Sequence, residues 1–460
     1  MTIRHSYYDK IWLDIADVVE SDKIAFTKRC MSIISALDLS ISSPSEKNRE
    51  VYECAIKLIN LPDVIALERF EEIDHRSKRE ALSRETRIKL AHRIELRRFY
   101  AVHLFVQMCG RLSSSTDTLS HFTQVILDKF NKDALEMGYS KQDARENATT
   151  QTIFHFSLAL FANNGRPTFV PSSGLTESLI YTEFRDVPSE MVQLPHPALF
   201  IEAPLKSGLF IPNAESGLHE LSGAFVVAHN ELNESDEFNE NKRLQIVLVG
   251  HPKEWGKETH NQLTANNHLF NDALFHFSVI LKPHSTVGDC IKGTVDGLGA
   301  WDSVLNDDRR SVNLMGDWMG EGFENCVRFI LNTLLYITLP DTEIDSIFSD
   351  SDVPDLMTKL SKAPKGSKKR STINEQLKKK SHHKYMLLGS SVKIDRSSRT
   401  ESGEAHAKGH NHKLSVAFIR RGHWRNQPFG TGRKQTRIKW IKPTMVNPDG
   451  PMKITTYMIE

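Results

Sequence analysis

The sequence predicts an α+β protein: a helical N-terminal region, a mixed α/β middle domain, a basic linker and a small C-terminal β unit. Three observations carry that prediction. No Pro or Gly interrupts Asp63–Met108, where Glu, Arg, Ala, Leu and Lys dominate, a composition that favours helix. From Arg166 to Gly299, Pro and Gly recur every few residues between short β-branched and aromatic runs, the texture of strands and turns. Charge is also unevenly placed: Ser361–Lys442 holds 22 Lys and Arg against four acids, leaving 37 basic and 54 acidic residues elsewhere. The formal net charge of +1 therefore hides an acidic body and a basic C-terminal part, and the basic part calls for an anionic partner.

The elements follow in order. In residues 1–165 the apolar positions Leu67, Phe70, Ile73, Leu82, Ile88, Ile94 and Leu96 are separated by dense charge, as in solvent-facing helices broken near Asp74–Ser77. A further helix is expected over Ser140–Asn164, with Ser140 as its cap and Ile153, Phe154, Phe156, Leu158 and Phe161 at an apolar end. In 166–340, Ala198–Ile201, Gly223–Ala228, Leu244–Val249 and Phe275–Leu281 are strand candidates. The acidic Asn230–Asn241 would connect two paired strands, and Gly250-His251-Pro252 would end the second. Glu321–Thr338 returns to helical spacing and stops at Leu339-Pro340. Residues 341–412 turn from acidic to basic, hold few apolar side chains to offset the entropy of ordering, and predict a partly disordered tether. Within it Tyr385–Leu388, with Val392 and Ile394, is a short strand candidate.

Several function classes are excluded at this level. The longest apolar runs, such as Ala224–Ala228, fall far short of the roughly 20 residues of a membrane span. The first residues carry acids where a signal peptide needs an uninterrupted apolar core. Five scattered cysteines without a CxxC pair point to a reducing cytoplasm, not to disulfides or structural zinc. No cofactor is expected, and no metal. His406, His410 and His412 with Glu404 have ligand-like spacing but lie in an apolar-poor stretch that reads as solvated linker. Gly293–Gly299 (GTVDGLG) fits neither a P-loop nor a dinucleotide fingerprint.

Residues 413–460 read as the basic β unit. Leu414–Arg420 and Thr436–Lys442 are strand candidates, the second alternating Ile438, Trp440 and Lys442 with Arg437, Lys439 and Ile441. No acid occurs from Lys408 to Asn447. Arg420, Arg421, Arg425, Arg433, Lys434, Arg437 and Lys439 are candidate phosphate contacts, since guanidinium groups engage phosphate through paired N–H donors. Trp424, Phe429 and Trp440 are candidate base-stacking residues; the competing reading makes the two tryptophans the core of the small unit. Gly422, Gly430 and Gly432 are expected to make turns near a ligand. His423 is the one catalytic candidate: a base among arginines suits metal-free RNA cleavage through the 2′-hydroxyl. It has no neighbouring acid in sequence, so a structural role for it stays open, and so does the question of whether the protein is an enzyme at all.

The run Ile419-Arg420-Arg421-Gly422-His423-Trp424, then Gly430-Thr431-Gly432, then Arg437-Ile438-Lys439-Trp440 and Val446-Asn447, is similar to the C-terminus of the type V-A anti-CRISPR family of phages and plasmids. The resemblance is collinear but looser upstream, at Arg166–Phe169, Leu194–Pro197, the helix before Leu339-Pro340 and Leu387–Val392; the first 150 residues carry none. It implies a protein in the cytoplasm of a bacterial host that lowers the amount of the type V-A CRISPR nuclease. It would act on the nuclease transcript during translation, with messenger or ribosome-associated RNA and the nascent nuclease chain as partners. The competing readings are an RNA-cleaving enzyme using His423 and a DNA-binding phage or plasmid maintenance protein. The split charge adds one expectation: the acidic body should attract the basic tail and restrain it.

Overall fold

The computed structural model describes residues 23–36, 49–50, 53–62, 97–107, 116–136, 138–204, 206–213, 217–232, 238–252, 273–292, 322–348, 352–364, 366–378, 384–393, 418–433 and 435–446. The expected helices of 63–96, Gly293–Gly299, the His406–His412 group and Lys434 lie outside them.

The N-terminal part is helical, as its composition requires. Helix α1 (Lys23–Ser35), the helical stretches 53–62 and 97–107, α2 (Thr116–Glu136) and α3 (Lys141–Asn163) enclose a core of Phe26, Leu58, Val102, Phe105, Ile126 and Ala148. Ser140 caps α3, its Oγ accepting the Asp143 N–H at 3.2 Å.

The middle of the chain builds an eight-stranded mixed sheet from β1 (Thr168–Pro171), β3 (Ala198–Glu202), β4 (Phe210–Asn213), β5 (Gly217–Leu232), β6 (Phe238–Pro252), β7 (Ala273–Leu281), β8 (Ile344–Phe348) and β9 (Lys384–Leu388). Its order is β7-β6-β5-β3-β1-β9-β8, with β4 on the far end of β5. On strands β3, β5 and β6 both faces are buried, so successive residues alternate between two cores. Phe200, Phe225, Val227, Val247 and Val249 meet Phe154 and Phe161 of α3. Leu199, Ile201, Ala224, Val226, Ile246 and Leu248 face α4 (Ser173–Ile180) and α5 (Phe323–Ile337). In α5 every residue but Glu324 and Asn325 is buried, which places it centrally on that face.

Two expectations change here. Strand β6 continues through Gly250-His251-Pro252, because Gly250 and His251 pair with Leu221 and Glu220 of the long β5. At the other end Asn230 pairs with Lys242, so the hairpin extends into the segment expected to be loop. The second change concerns the tether. Strand β9 sits inside the sheet between β1 and β8, with Tyr385 1% and Leu388 0% exposed. Between β8 and β9, α6 (Val353–Lys362) and α7 (Lys368–Lys378) close on Val353, Leu356, Ile373 and Leu377. Few apolar residues suffice there because they fall on one face of each helix and meet the same small cluster.

Beyond β9, the described chain forms β10 (Phe418–Arg420), β11 (Gly422–Phe429), β12 (Gln435–Ile441) and β13 (Thr444–Val446). β11 also pairs in parallel with β2 (Thr182–Glu183), which docks this small unit onto the body. Among the described residues no helix is long and apolar enough to cross a membrane.

Candidate nucleic-acid interface

The C-terminal unit is one bent antiparallel ribbon. Phe418 pairs with Val446 and Arg420 with Thr444 in its first half; His423 pairs with Ile441 and Phe429 with Gln435 in its second. The register is continuous across the break, which puts Arg421 opposite Pro443. Proline has no N–H to give the ladder, so pairing stops there. The Gly422 N–H turns instead to the Tyr181 carbonyl at 2.9 Å. The stretch between the two expected strands is thus itself a strand; its polar, Gly- and Pro-containing sequence concealed the pairing that β12 imposes.

Alternation sorts the candidate residues onto two faces. Inward, Trp424 and Trp440 oppose each other with ring centroids 6.2 Å apart, and Tyr336 of α5 meets Trp440 edge-on at 5.5 Å. The Trp424 Nε1–H donates to Asn332 Oδ1 at 2.7 Å, and the Trp440 Nε1–H to Thr182 Oγ1 at 3.1 Å. Asn332 is fully buried, and its Nδ2 donates to the carbonyls of Leu179 (2.8 Å) and Thr182 (3.0 Å). These two tryptophans are therefore anchors. Trp440, expected to stack on bases, is only 8% exposed and packs against the body; Trp424 is half-buried with its N–H committed to the core.

Outward, β11 and β12 present His423, Arg425 and Phe429 beside Ile441, Lys439 and Arg437. Arg425 lies directly across from Lys439, a like-charge pair that disfavours the bare ribbon. The Arg437 guanidinium lies 5.4 Å from the centre of the Phe429 ring, and that ring is 38% exposed. His423 is exposed, with Ile441 opposite. The turn carries Gly430 (φ 81°) and Gly432 (φ 71°), conformations that favour glycine, and the Arg433 backbone belongs to it. Gly422 differs from its expected role. It lies in β11, where a Cβ would stand 2.7 Å from Thr182 Oγ1 and 2.8 Å from the Ile441 carbonyl, so close packing and not a turn excludes a side chain.

The seam between ribbon and body is ionic. Arg421 reaches Glu183 at 3.6 Å, and Arg328, its side chain 6% exposed, bonds Glu183 (3.3 Å), Glu324 (2.6 Å) and the Thr182 carbonyl (3.2 Å). Burial pushes the Glu183 carboxyl up, but the Arg328 guanidinium and the backbone N–H groups of Arg185 and Phe184 outweigh it and hold the carboxyl below the usual range. Arg421 is thus partly engaged by the body, whereas Arg420 is exposed on β10.

Within the described residues β12 has an open edge, and a pocket of about 320 Å³ lies along it. Its wall comes from Tyr336, Thr342, Glu343, Arg437, Lys439 and Lys442. Ser391 donates to both oxygens of Glu343, by N–H at 3.1 Å and Oγ at 2.7 Å, and Ser390 also bonds it, which lowers the pKa of this carboxyl. Thr342, Glu343 and Lys442 were outside the candidate set; the Leu387–Val392 segment was the one sequence signal leading here. No group of acids, His or Cys that could hold a metal occurs among the described residues.

The molecule is an α+β protein whose two-faced mixed sheet carries a basic C-terminal ribbon pinned by two tryptophans. The family model described as "AcrVA2-like: Anti-CRISPR type V subtype A2 family" matches residues 169–448, and the chain belongs to that family. No curated protein sequence matches. Among solved structures, "Crystal structure of AcrVA2" is similar at 13% identity with a TM-score of 0.36, over 79% of this chain and 98% of that one.

Proposed function

We propose that the chain lowers the level of a type V-A CRISPR nuclease by acting on its transcript during translation, with the outer face of the C-terminal ribbon holding RNA. Family membership supports the target class. The observation that supports the RNA grip is the acid-free outer face, where Arg425, Lys439 and Arg437 surround the exposed Phe429. Such a face offers phosphate contacts together with a ring on which a base can stack. The nascent nuclease chain is the protein partner, and the action belongs in the cytoplasm of a bacterial host invaded by a phage or plasmid.

The direct test is binding of the purified chain to labelled single-stranded RNA across a salt series. Arg425→Gln/Lys439→Gln should weaken binding about tenfold or more and make the log affinity against log salt slope shallower by roughly 1.4, at about 0.7 per lost phosphate contact. A flat salt response overturns the grip, and a preference for duplex DNA would favour the maintenance-protein reading. RNA cleavage abolished by His423→Ala would convert the binding reading into an enzymatic one. In cells making the nuclease, expression of this chain should reduce both its transcript and its protein; unchanged levels would overturn the proposed action.

A further inference from the structure

The hairpin α6–α7, inserted between β8 and β9, has a surface that neither its packing nor the ribbon explains. The two helices run antiparallel, since Val353 and Leu356 share a cluster with Ile373 and Leu377, while the Arg370 Nη1–H groups reach the carbonyls of Leu360 and Ala363, both at 3.1 Å. That arrangement sorts charge along the hairpin. Its acids, Asp355 and Glu375, lie toward the base, and Lys359, Lys362, Lys368 and Lys369 gather toward the tip, all exposed.

These four lysines gather without the acids that neutralise the surface cations of α2. On α2, Lys129 pairs with Asp133 at 2.6 Å and Lys132 with Glu136 at 3.8 Å, the usual way a solvated helix face interleaves signs. The tip lysines make no ion pair with any described residue. Two of them also break a local rule. The first turn of α7 contains no acid and begins with Lys368 and Lys369, at the helix end whose dipole disfavours cations. Meanwhile the tip is held in shape: Ser367 Oγ accepts the Arg370 N–H at 3.2 Å, and Gly366 (φ 80°) makes the turn. A shaped tip with unneutralised, electrostatically unfavourable cations is what an anionic polymer would relieve.

We propose that this tip is a second phosphate-binding contact, for the backbone of single-stranded RNA; it rests on the reading that the chain holds RNA. It is separate from the ribbon. The hairpin leaves the sheet at Phe348 and Lys384, whereas Glu343 and Val392, which border the pocket beside β12, lie at the opposite ends of β8 and β9. Those five-residue strands span about 13 Å, and Phe348 packs against the hairpin's own cluster. One strand of RNA would thus be gripped at two places.

The test uses the full chain and a labelled unstructured single-stranded RNA. The variant Lys359→Gln/Lys362→Gln/Lys368→Gln/Lys369→Gln should lose at least tenfold in affinity, with a salt slope shallower by up to about 3. A second variant, Lys368→Glu/Lys369→Glu, should melt no lower than the parent, because acids suit that helix end, and should still bind RNA more weakly. Parental affinity and slope in both variants overturn the inference. Loss in the tip variants with retention in Arg425→Gln/Lys439→Gln upholds the tip and overturns the ribbon grip; the reverse pattern does the opposite. No RNA binding by the parent chain overturns both, and equal, tip-dependent binding of duplex DNA overturns the assignment to RNA.

Discussion

Asn332 shows how one side chain can decide what its neighbours are for. It takes the Trp424 N–H and gives its own two N–H groups to backbone carbonyls, all inside the protein. Replacing Trp424 by Phe keeps most of the ring but strips Asn332 Oδ1 of its donor, and a buried unpaired acceptor costs about 1–3 kcal/mol. We expect the urea midpoint of Trp424→Phe to fall while RNA affinity of the folded protein stays unchanged; a loss of affinity without loss of stability would restore the stacking role. His276 makes a second residue-scale prediction. Burial on β7, and then the charge of Arg243, lowers its pKa to about 4, so the folded state prefers the neutral ring. The stability this contributes is complete above the unfolded value near 6.5 and is lost as pH falls from about 6.5 to about 4. His276→Gln should therefore show a smaller drop in denaturation midpoint between pH 7 and pH 5 than the parent chain, and equal drops would refute it. Neither assignment was legible in sequence, because a Trp beside arginines looks the same whether its N–H points to solvent or to a buried amide.

The ribbon is the element on which the functional reading rests, and its seating depends on Gly422. A methyl group there would press on Thr182, the Ile441 carbonyl and Pro443. Gly422→Ala should lift β11 from β2 at a cost of about 1–3 kcal/mol, the usual penalty for overpacking. Faster amide hydrogen exchange over residues 422–429 with little change in β5 and β6 would confirm it; unchanged exchange in β11 would show that the seam yields without cost. The alternation of Ile438 and Trp440 against Arg437 and Lys439 was readable along β12, since period two needs only the strand itself. Strand β11 was not readable, because its polar sequence has no apolar alternation and its pairing comes from a neighbour reached through a five-residue turn.

At the scale of the whole molecule, the C-terminal part is not a detachable tail. Strand β9 fills the gap between β1 and β8, so a chain ending at residue 382 would expose the buried sites of Tyr385 and Leu388. Such a truncation should lose cooperative thermal unfolding and soluble expression; a soluble, cooperatively melting product would show that the sheet tolerates the vacancy. At the seam Arg421 contacts Glu183 at 3.6 Å, while Arg425, Arg437 and Lys439 face outward. By itself the sequence determined the fold class, strands β3, β5, β6 and β7 and helix α5 of the middle region, the separation of charge and the family, because periodicity, turn residues and composition act over short stretches of chain. Only the tertiary structure decided that the lysine-rich segment is a folded hairpin with its cations at the tip, that the two tryptophans anchor while Phe429 is displayed, and that β9 belongs to the central sheet. Each of those outcomes depends on which distant surface covers a side chain, and burial by a partner far along the chain leaves no local pattern to read.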